Sequence, residues 1–388
     1  MASAQIEHLP PSTNKKLILA AQLAFLPTGI LMTLLGPMLP LLIARWALND
    51  THAGNLFLVQ FLASVVGVQL SGVLLVKFGY RPAFLLGLLL MAGGAATLYA
   101  GSVGLGMVSV GVYGLGIGLI VPTDSLLIAE VSPNSRTSAV NLLNFFWGAG
   151  AVFCSLMVAW AAAHKMLPVF LGAVSLFLVL LAFRMWGLTF PAAAAETPLG
   201  GKLRWQELAR NPVIWLFAAV FFLYPGAETA VGGWIGSYVA RLGPQEAKWA
   251  PLMPAFFWAA LTAGRGLGTL FLSYVSERRV LRAGFATASA GIVLMLVASA
   301  LPGVIAGALI TGLSFATLYP ITIARLSAHF GVAARSIGAV MFSLAAVGPA
   351  VIPWMVGVVS QSTGSLRAGL LLPLGATVLL LVIHLRDW

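Results

Sequence analysis

Three ionisable side chains lie deep inside long apolar segments of the chain: Asp124, Glu228 and Arg265. An ionisable group in hydrocarbon is costly, so such a residue normally faces a partner or a water-filled cavity. Glu228 lies nearest the middle of its segment, beside glycines that let a ligand approach the backbone. We expect Glu228 to contact a substrate or a coupling ion. A carboxyl group hydrogen-bonded to a neighbouring helix fits the same pattern.

The other two ionisable residues suggest different roles. Asp124 follows Pro122, which cannot donate a backbone hydrogen bond and therefore bends its helix. This makes Asp124 a second candidate for ion coupling, or a structural partner for a cation. Arg265 lies in the inner third of its segment, close enough to the segment end to reach water. Structural or gating use is favoured for Arg265 over substrate contact.

Polar amides and aromatic rings supply candidate substrate contacts of another kind. Asn141 and Asn144 are three residues apart and can share one helical face. Their amides suit paired hydroxyl groups, and aromatic planes suit the aliphatic face of a sugar ring. Amides also bridge membrane helices, and tryptophans also form interfacial belts. The remaining candidates are Phe145, Trp147, Gln60, Trp234, Trp258, Tyr319 and Trp354.

The composition shows which elements must position these residues. Of 388 residues, 60% are hydrophobic and 8% are charged, and the mean hydropathy is +1.00. This composition excludes a water-soluble domain and leaves enough apolar residues for about twelve helices of ~20 residues. The net charge of +11 is scattered singly or in pairs, which argues against a nucleic-acid partner. The sequence therefore predicts an all-α membrane protein with the lipid bilayer as its surroundings.

Cutting the chain at charges and at Pro and Gly clusters gives twelve predicted segments. They are 16–45, 53–76, 82–101, 104–129, 138–162, 166–186, 212–240, 249–273, 283–301, 304–326, 336–360 and 367–385. With the N-terminus inside, the outer loops hold only five of the 21 basic residues: Arg45, Lys165, Arg241, Lys248 and Arg367. The positive-inside rule then predicts that both termini are cytoplasmic. We expect a plasma membrane location, which is the inner membrane in a prokaryote.

Internal similarity predicts a duplicated architecture. Gly226 follows Gly29 by 197 residues, and Pro320 follows Pro122 by 198 residues. A near-constant offset across several segments indicates two parallel halves related by an axis along the membrane normal. The predicted regions are a cytoplasmic tail 1–14, a six-helix bundle 15–187, a cytoplasmic linker 188–210 and a second six-helix bundle 211–388.

Two six-helix halves resemble the major facilitator superfamily, and one loop sharpens the match. Residues 72–81 resemble its signature G-x-L-x-D-R-x-G-R-[KR], with Gly72, Lys77, Gly79 and Arg81 in place. Val76 occupies the position of the usual Asp, so the family's interhelical charge cluster lacks that carboxylate. We therefore expect other residues to form the inner gate. The candidates are Gly72, Lys77, Gly79, Arg81, Glu130 and Arg136, with Asp124 and Arg265 as further candidates.

Three stretches, 46–67, 122–136 and 226–239, resemble the fucose permease and sodium-dependent glucose transporter branch of that superfamily. The resemblance implies a monomeric secondary active transporter that works by alternating access. It also implies a sugar or polyol substrate, coupling to H⁺ or Na⁺, and no other cofactor. In sugar-carrying relatives an amide at about the position of Asn144 contacts the sugar, and the resemblance carries that role onto Asn144.

Two other functions remain open from the sequence. An exporter of amphipathic drugs or lipids would suit an aromatic-rich cavity, although paired amides suit it less well. An intramembrane enzyme would need a Ser/His, paired-Asp or HExxH constellation within the spans, and the sequence contains none. The histidines have no metal-ligand spacing, so we expect no metal site.

Overall fold

The computed structural model of the chain describes residues 11–132, 135–191, 210–272 and 275–386. Over these residues the chain is almost entirely helical, with two short 3₁₀ helices at Glu246–Leu252 and Gly331–Ala333. The α-helices are α1 Pro11–Thr33, α2 Leu35–Trp46, α3 Asp50–Phe78, α4 Tyr80–Thr97, α5 Val103–Val131, α6 Arg136–Ala163, α7 Leu167–Trp186, α8 Pro212–Val239, α9 Met253–Leu272, α10 Glu277–Val297, α11 Leu301–Phe315, α12 Leu318–Phe330, α13 Ala334–Thr363, α14 Leu366–Gly369 and α15 Leu371–Leu385. Most of the predicted N-terminal tail and of the predicted linker lies outside the described residues.

The helices have the length and composition of membrane spans. Eleven spans among the described residues are long and apolar enough to cross a membrane. Helix α9, with 20 residues, occupies the place of the eighth predicted segment. The chain is therefore a multi-pass membrane protein, as its composition predicts.

Three predicted segments are each divided between two helices in the structure. Segment 16–45 forms α1 and α2, segment 304–326 forms α11 and α12, and segment 367–385 forms α14 and α15. A proline explains the first two divisions. Pro37 has no N–H for the carbonyl of Thr33, where α1 ends, and Pro320 has none for the carbonyl of Ala316. Hydrogen bonding resumes one residue later each time, from Met38 to Leu34 and from Ile321 to Thr317. Each of these two segments is thus divided at a proline that its apolar composition does not reveal.

A one-residue turn connects α3 to α4 within the signature loop. Gly79 has φ of 77°, and its N–H donates to the carbonyl of Leu75 at 3.0 Å. A positive φ is readily adopted by glycine and costly for other residues. The turn therefore explains why glycine occupies this position of the motif.

The chain divides into two compact units that do not follow the predicted halves. Unit 1 takes Met1–Met32, Ala63–Gly150 and Pro168–Thr197. Unit 2 takes Thr33–Leu62, Ala151–Leu167 and Pro198–Trp388. Helix α2, the first part of α3 and the last part of α6 thus pack with the helices of the second sequence half.

Each unit contains the same close backbone packing at positions separated by the repeat offset. A Cβ atom added at Gly94 would lie 2.6 Å from the carbonyl oxygen of Ser109, which joins α4 to α5 in unit 1. A Cβ atom added at Gly291 would lie 2.9 Å from the carbonyl oxygen of Gly307, which joins α10 to α11 in unit 2. Both members of the second pair lie 197 to 198 residues after those of the first.

A second contact repeats in the same way. Gly150 of α6 packs on the carbonyl of Leu26 in α1, and Gly348 of α13 packs on the carbonyl of Phe222 in α8. Small residues allow membrane helices to approach this closely. The repeated contacts support the internal duplication predicted from the sequence.

We expect Gly150→Ala and Gly348→Ala each to destabilise the protein by about 1–3 kcal/mol, because the new methyl group would overlap a helix backbone. The measurement is thermal unfolding in detergent. Gly172→Ala is the matched control, since a Cβ atom at Gly172 would meet nothing within 4 Å. Equal unfolding temperatures for all three variants would contradict the packing described here.

Candidate functional site

A buried polar cluster surrounds Glu228 in unit 2. Tyr224 precedes Glu228 by one turn of α8, and its hydroxyl donates a hydrogen bond to the Oε2 atom of Glu228. The same hydroxyl lies 2.9 Å from the carbonyl oxygen of Phe315. Tyr224 thereby joins the carboxylate of α8 to the end of α11.

Two further side chains complete this Glu228 cluster, which we define as Tyr224, Glu228, Arg265 and Tyr319. The Arg265 guanidinium of α9 interacts electrostatically with Glu228 and with both tyrosine hydroxyls. The Tyr319 ring stacks beside that of Tyr224, with ring centroids 6.0 Å apart. The carboxylate therefore has a hydroxyl donor and a cation within its own unit.

The local sequence of α8 explains why a polar cluster can form at this depth. Pro225 lacks an N–H, so the carbonyl of Phe221 has no helical partner. Gly226 follows, and a Cβ atom there would lie 2.8 Å from the carbonyl oxygen of Gly348 in α13. Glu228 thus projects from a helix held tightly against α13 on one side.

The predicted tryptophan contacts of unit 2 are largely used for packing. Trp234 is fully buried, its Nε1 donates to the carbonyl of Pro353 at 2.9 Å, and its ring lies 6.1 Å from that of Phe57. Trp258 is buried against Phe257, with ring centroids 4.9 Å apart. Trp234 has no second donor to offer a substrate.

Two more predicted residues of unit 2 differ in exposure. Trp354 is half-buried, and Gly54 packs directly on its backbone. Gln60 is buried in α3 and has partners within the structure. Gln60 is therefore a satisfied buried amide.

The predicted amides lie on α6 in unit 1. Asn141 and Asn144 are both exposed, and the Nδ2 of Asn144 donates to the carbonyl of Val140 at 3.0 Å. Phe145 is 60% exposed, whereas Trp147 is buried, with Gly29 against its backbone carbonyl. Asn144 therefore keeps an accessible amide that is held by its own helix.

Asp124 is fully buried in α5, and neither carboxylate oxygen has a hydrogen-bond partner among the described residues. The neighbouring Thr123 hydroxyl is also buried without a hydrogen-bond partner among the described residues. A buried carboxylate without a partner is costly, so this site favours a protonated carboxyl or a bound cation. Asp124 remains a candidate for ion coupling.

Two of the predicted gating residues of unit 1, Arg81 and Glu130, each bond to a neighbouring residue. The Tyr80 hydroxyl donates to Oε2 of Glu130 at 2.5 Å. Arg81 donates to the carbonyl of Trp186 and lies 5.9 Å from its ring centroid. These contacts fasten the signature loop to α5 and to the end of α7.

The other predicted gating positions are exposed or undescribed. Val76, which replaces the usual Asp, is 76% exposed, and Gly72 and Lys77 are also exposed. The side chain of Arg136 lies outside the described residues. Arg265, the remaining gating candidate, interacts with Glu228.

Sequence reasoning missed a second charged cluster in unit 2, the Asp50 cluster, which we define as Asp50, Arg241, Ser360 and Gln361. Arg241 donates to both carboxylate oxygens of Asp50, at 2.9 Å for Nη1 to Oδ2. The Ser360 hydroxyl donates to Oδ2 at 2.5 Å, and the Asp50 N–H donates to Oε1 of Gln361 at 3.1 Å. These partners are 191 or more residues from Asp50 in sequence, so no local spacing reveals them.

The chain is similar to several proteins along most of its length. It is 25% identical over 299 residues to Bypass of stop codon protein 6 of Saccharomyces cerevisiae, covering 67% of this chain and 57% of that protein. It is 24% identical over 373 residues to a glucose/galactose transporter of Brucella abortus, covering 88% of this chain and 87% of that protein. The chain therefore spans little more than half the length of the yeast relative.

Solved structures show the same fold. The nucleoside transporter NupG has a TM-score of 0.78 at 13% identity, with 96% of this chain and 99% of that chain covered. A D-xylose-proton symporter has a TM-score of 0.77 at 15% identity, with 96% and 97% covered. The family model described as Major Facilitator Superfamily matches residues 23–353. Since that match covers most of the sequence, the chain belongs to the Major Facilitator Superfamily of membrane transporters.

Proposed function

We propose that the chain is a secondary active transporter that moves a sugar or a similar polyol by alternating access, coupled to H⁺ or Na⁺. The observation that carries this proposal is the Glu228 cluster, which places a carboxylate, a guanidinium and two phenol groups together inside membrane-spanning helices. Such groups persist in hydrocarbon when they serve substrate or ion pathways.

The cluster suggests how ion binding and substrate binding are linked. A proton or Na⁺ on Glu228 competes with the Arg265 guanidinium for the same negative charge. When the ion neutralises Glu228, the attraction between its carboxyl group and the Arg265 guanidinium weakens, so Arg265 can donate to substrate hydroxyls. When the ion leaves, the carboxylate attracts Arg265 again and the substrate is released.

The substrate class is supported by chemistry and by the relatives. The stacked rings of Tyr224 and Tyr319 offer flat apolar faces that end in hydroxyls, which suits a sugar ring. Within unit 1, Asn144 separately offers an accessible amide on α6. The Brucella relative is named as a glucose/galactose transporter, and one structural neighbour as a D-xylose-proton symporter.

We also propose that both termini face the cytoplasm and that the protein lies in the plasma membrane. The excess of Lys and Arg on one set of loops supports this orientation. In this orientation, the loop after α8 and the turn after α13 face the outside of the cell. Cysteine labelling of the two sides in intact cells tests the assignment.

The substrate is tested by uptake into proteoliposomes. A panel of radiolabelled hexoses, pentoses and polyols is offered under imposed pH or Na⁺ gradients. We expect gradient-dependent accumulation of at least one sugar. Accumulation of none, together with efflux of amphipathic dyes, would replace this proposal with the exporter.

Glu228→Gln should abolish gradient-driven accumulation and spare sugar counterflow, because counterflow needs no net ion movement. Glutamine keeps the shape of the side chain and accepts the Tyr224 hydrogen bond but removes the charge. Both activities are measured in proteoliposomes. Tyr224→Phe is the comparison, since it removes the hydrogen bond and keeps the charge; its accumulation should still depend on the gradient, with a weaker affinity for the sugar.

Full driven accumulation by Glu228→Gln would remove Glu228 from coupling and point to Asp124. Loss of counterflow together with a lower unfolding temperature would indicate a structural ion pair. In that case Glu228→Gln combined with Arg265→Gln should be more stable than either single variant.

Asn144→Ala should weaken sugar binding by about 1–3 kcal/mol, because a substrate hydroxyl loses its partner. Calorimetry in detergent measures the affinity, and the unfolding temperature checks the fold. Asn141→Ala is the matched exposed amide on the same helix and should have the smaller effect. Unchanged affinity in a folded Asn144→Ala variant would leave Asn144 with no role in binding.

A further inference from the structure

The Asp50 cluster takes no part in the coupling chemistry proposed above. Its carboxylate nevertheless accepts hydrogen bonds from two different side chains. Asp50 is 8% exposed and accepts from the Arg241 guanidinium and the Ser360 hydroxyl. Its N–H is also bonded, to the side chain of Gln361. A bidentate arginine with an added hydroxyl is a strong and directional arrangement.

The cluster joins helices from both halves of the sequence. Asp50 begins α3, which belongs to the first predicted bundle. Arg241 lies just after the end of α8, and Ser360 lies in the last turns of α13, both in the second bundle. All of these residues belong to unit 2.

Close backbone contacts hold α3 against α13 beside the ion pair. A Cβ atom added at Gly54 of α3 would lie 3.0 Å from the carbonyl oxygen of Trp354 in α13. Gly357 of α13 packs on the carbonyl of Asp50 itself.

The charges make this contact both firm and reversible. Separating the helices would leave a desolvated carboxylate until water reached it, so closure is favoured while the pair is intact. The Arg241 side chain is 40% exposed, so water has a path to the pair from the loop side.

We propose that the Asp50 cluster is the latch that holds the outer side of the transporter closed. This inference rests on the proposed function for the orientation and for alternating access. Asp50 and Arg241 are the gating residues, and Ser360 orients the carboxylate between α3 and α13.

The test measures access from outside rather than transport. Ser237 lies one turn before Arg241 on α8 and is 2% exposed, so Ser237→Cys in a Cys154→Ala background reports opening. A membrane-impermeant maleimide is applied to intact cells without sugar. We expect Asp50→Asn or Arg241→Gln to raise the labelling rate about tenfold, the change that corresponds to about 1.4 kcal/mol.

Two further variants distinguish a specific effect of the Asp50–Arg241 pair from a general loosening of the protein fold. Lys248→Gln is the matched control, because Lys248 is an exposed cation in the nearby 3₁₀ helix Glu246–Leu252 that donates locally, to Gln245 at 3.2 Å. It should leave the rate unchanged. Exchanging the charges, with Asp50→Arg and Arg241→Asp together, should restore slow labelling.

The latch is overturned if labelling stays slow in Asp50→Asn and Arg241→Gln, or if Lys248→Gln accelerates it equally. It is also overturned if the charge exchange labels as fast as the single variants. Because the assay uses no sugar and no gradient, these outcomes are independent of the substrate. Absence of sugar uptake by the unaltered protein would overturn the proposed function alone.

Discussion

The structure depends on one constraint, that an ionisable side chain buried among membrane helices is costly unless it is paired, neutral or within reach of water. Glu228 satisfies it with Tyr224 on its own helix and Arg265 on α9. Asp50 satisfies it with a bidentate arginine, a hydroxyl and a bonded N–H. Each of these pairings joins two or more helices within unit 2.

Close backbone packing holds the helices together where no charge is present. Glycines bring helix backbones into direct contact, and the contacts recur at equivalent places, such as Gly150 with Leu26 and Gly348 with Phe222. Without a hydrophobic driving force between helices in lipid, such close packing supplies much of their association. The glycine positions are therefore fixed by packing in both halves, which explains why the repeat is visible in the sequence.

The helices were largely predictable because span length and hydrophobicity are local properties. Segment 138–162 corresponds to α6 at Arg136–Ala163, and segment 212–240 to α8 at Pro212–Val239. The breaks at Leu34 and Ala316 were missed, since Pro37 and Pro320 act on a carbonyl four residues earlier. Glu228 was found by its depth, and Tyr224 could have been found from the Tyr-x-x-x-Glu spacing. Asp50 could not have been identified from the sequence, because its bonding partners are distant in sequence and are brought close only by the fold.

Under the two proposals, α8 links the coupling site to the latch. Glu228 and Arg241 are 13 residues apart on the same helix and its end, or about 20 Å at the helical rise. No proline lies between them, and Gly232 and Gly236 hold this stretch tightly against α9, α2 and the 3₁₀ helix Glu246–Leu252. Under the proposed function, ion and sugar binding at the cluster would act on the bond to Asp50 through α8, the element that both sites share.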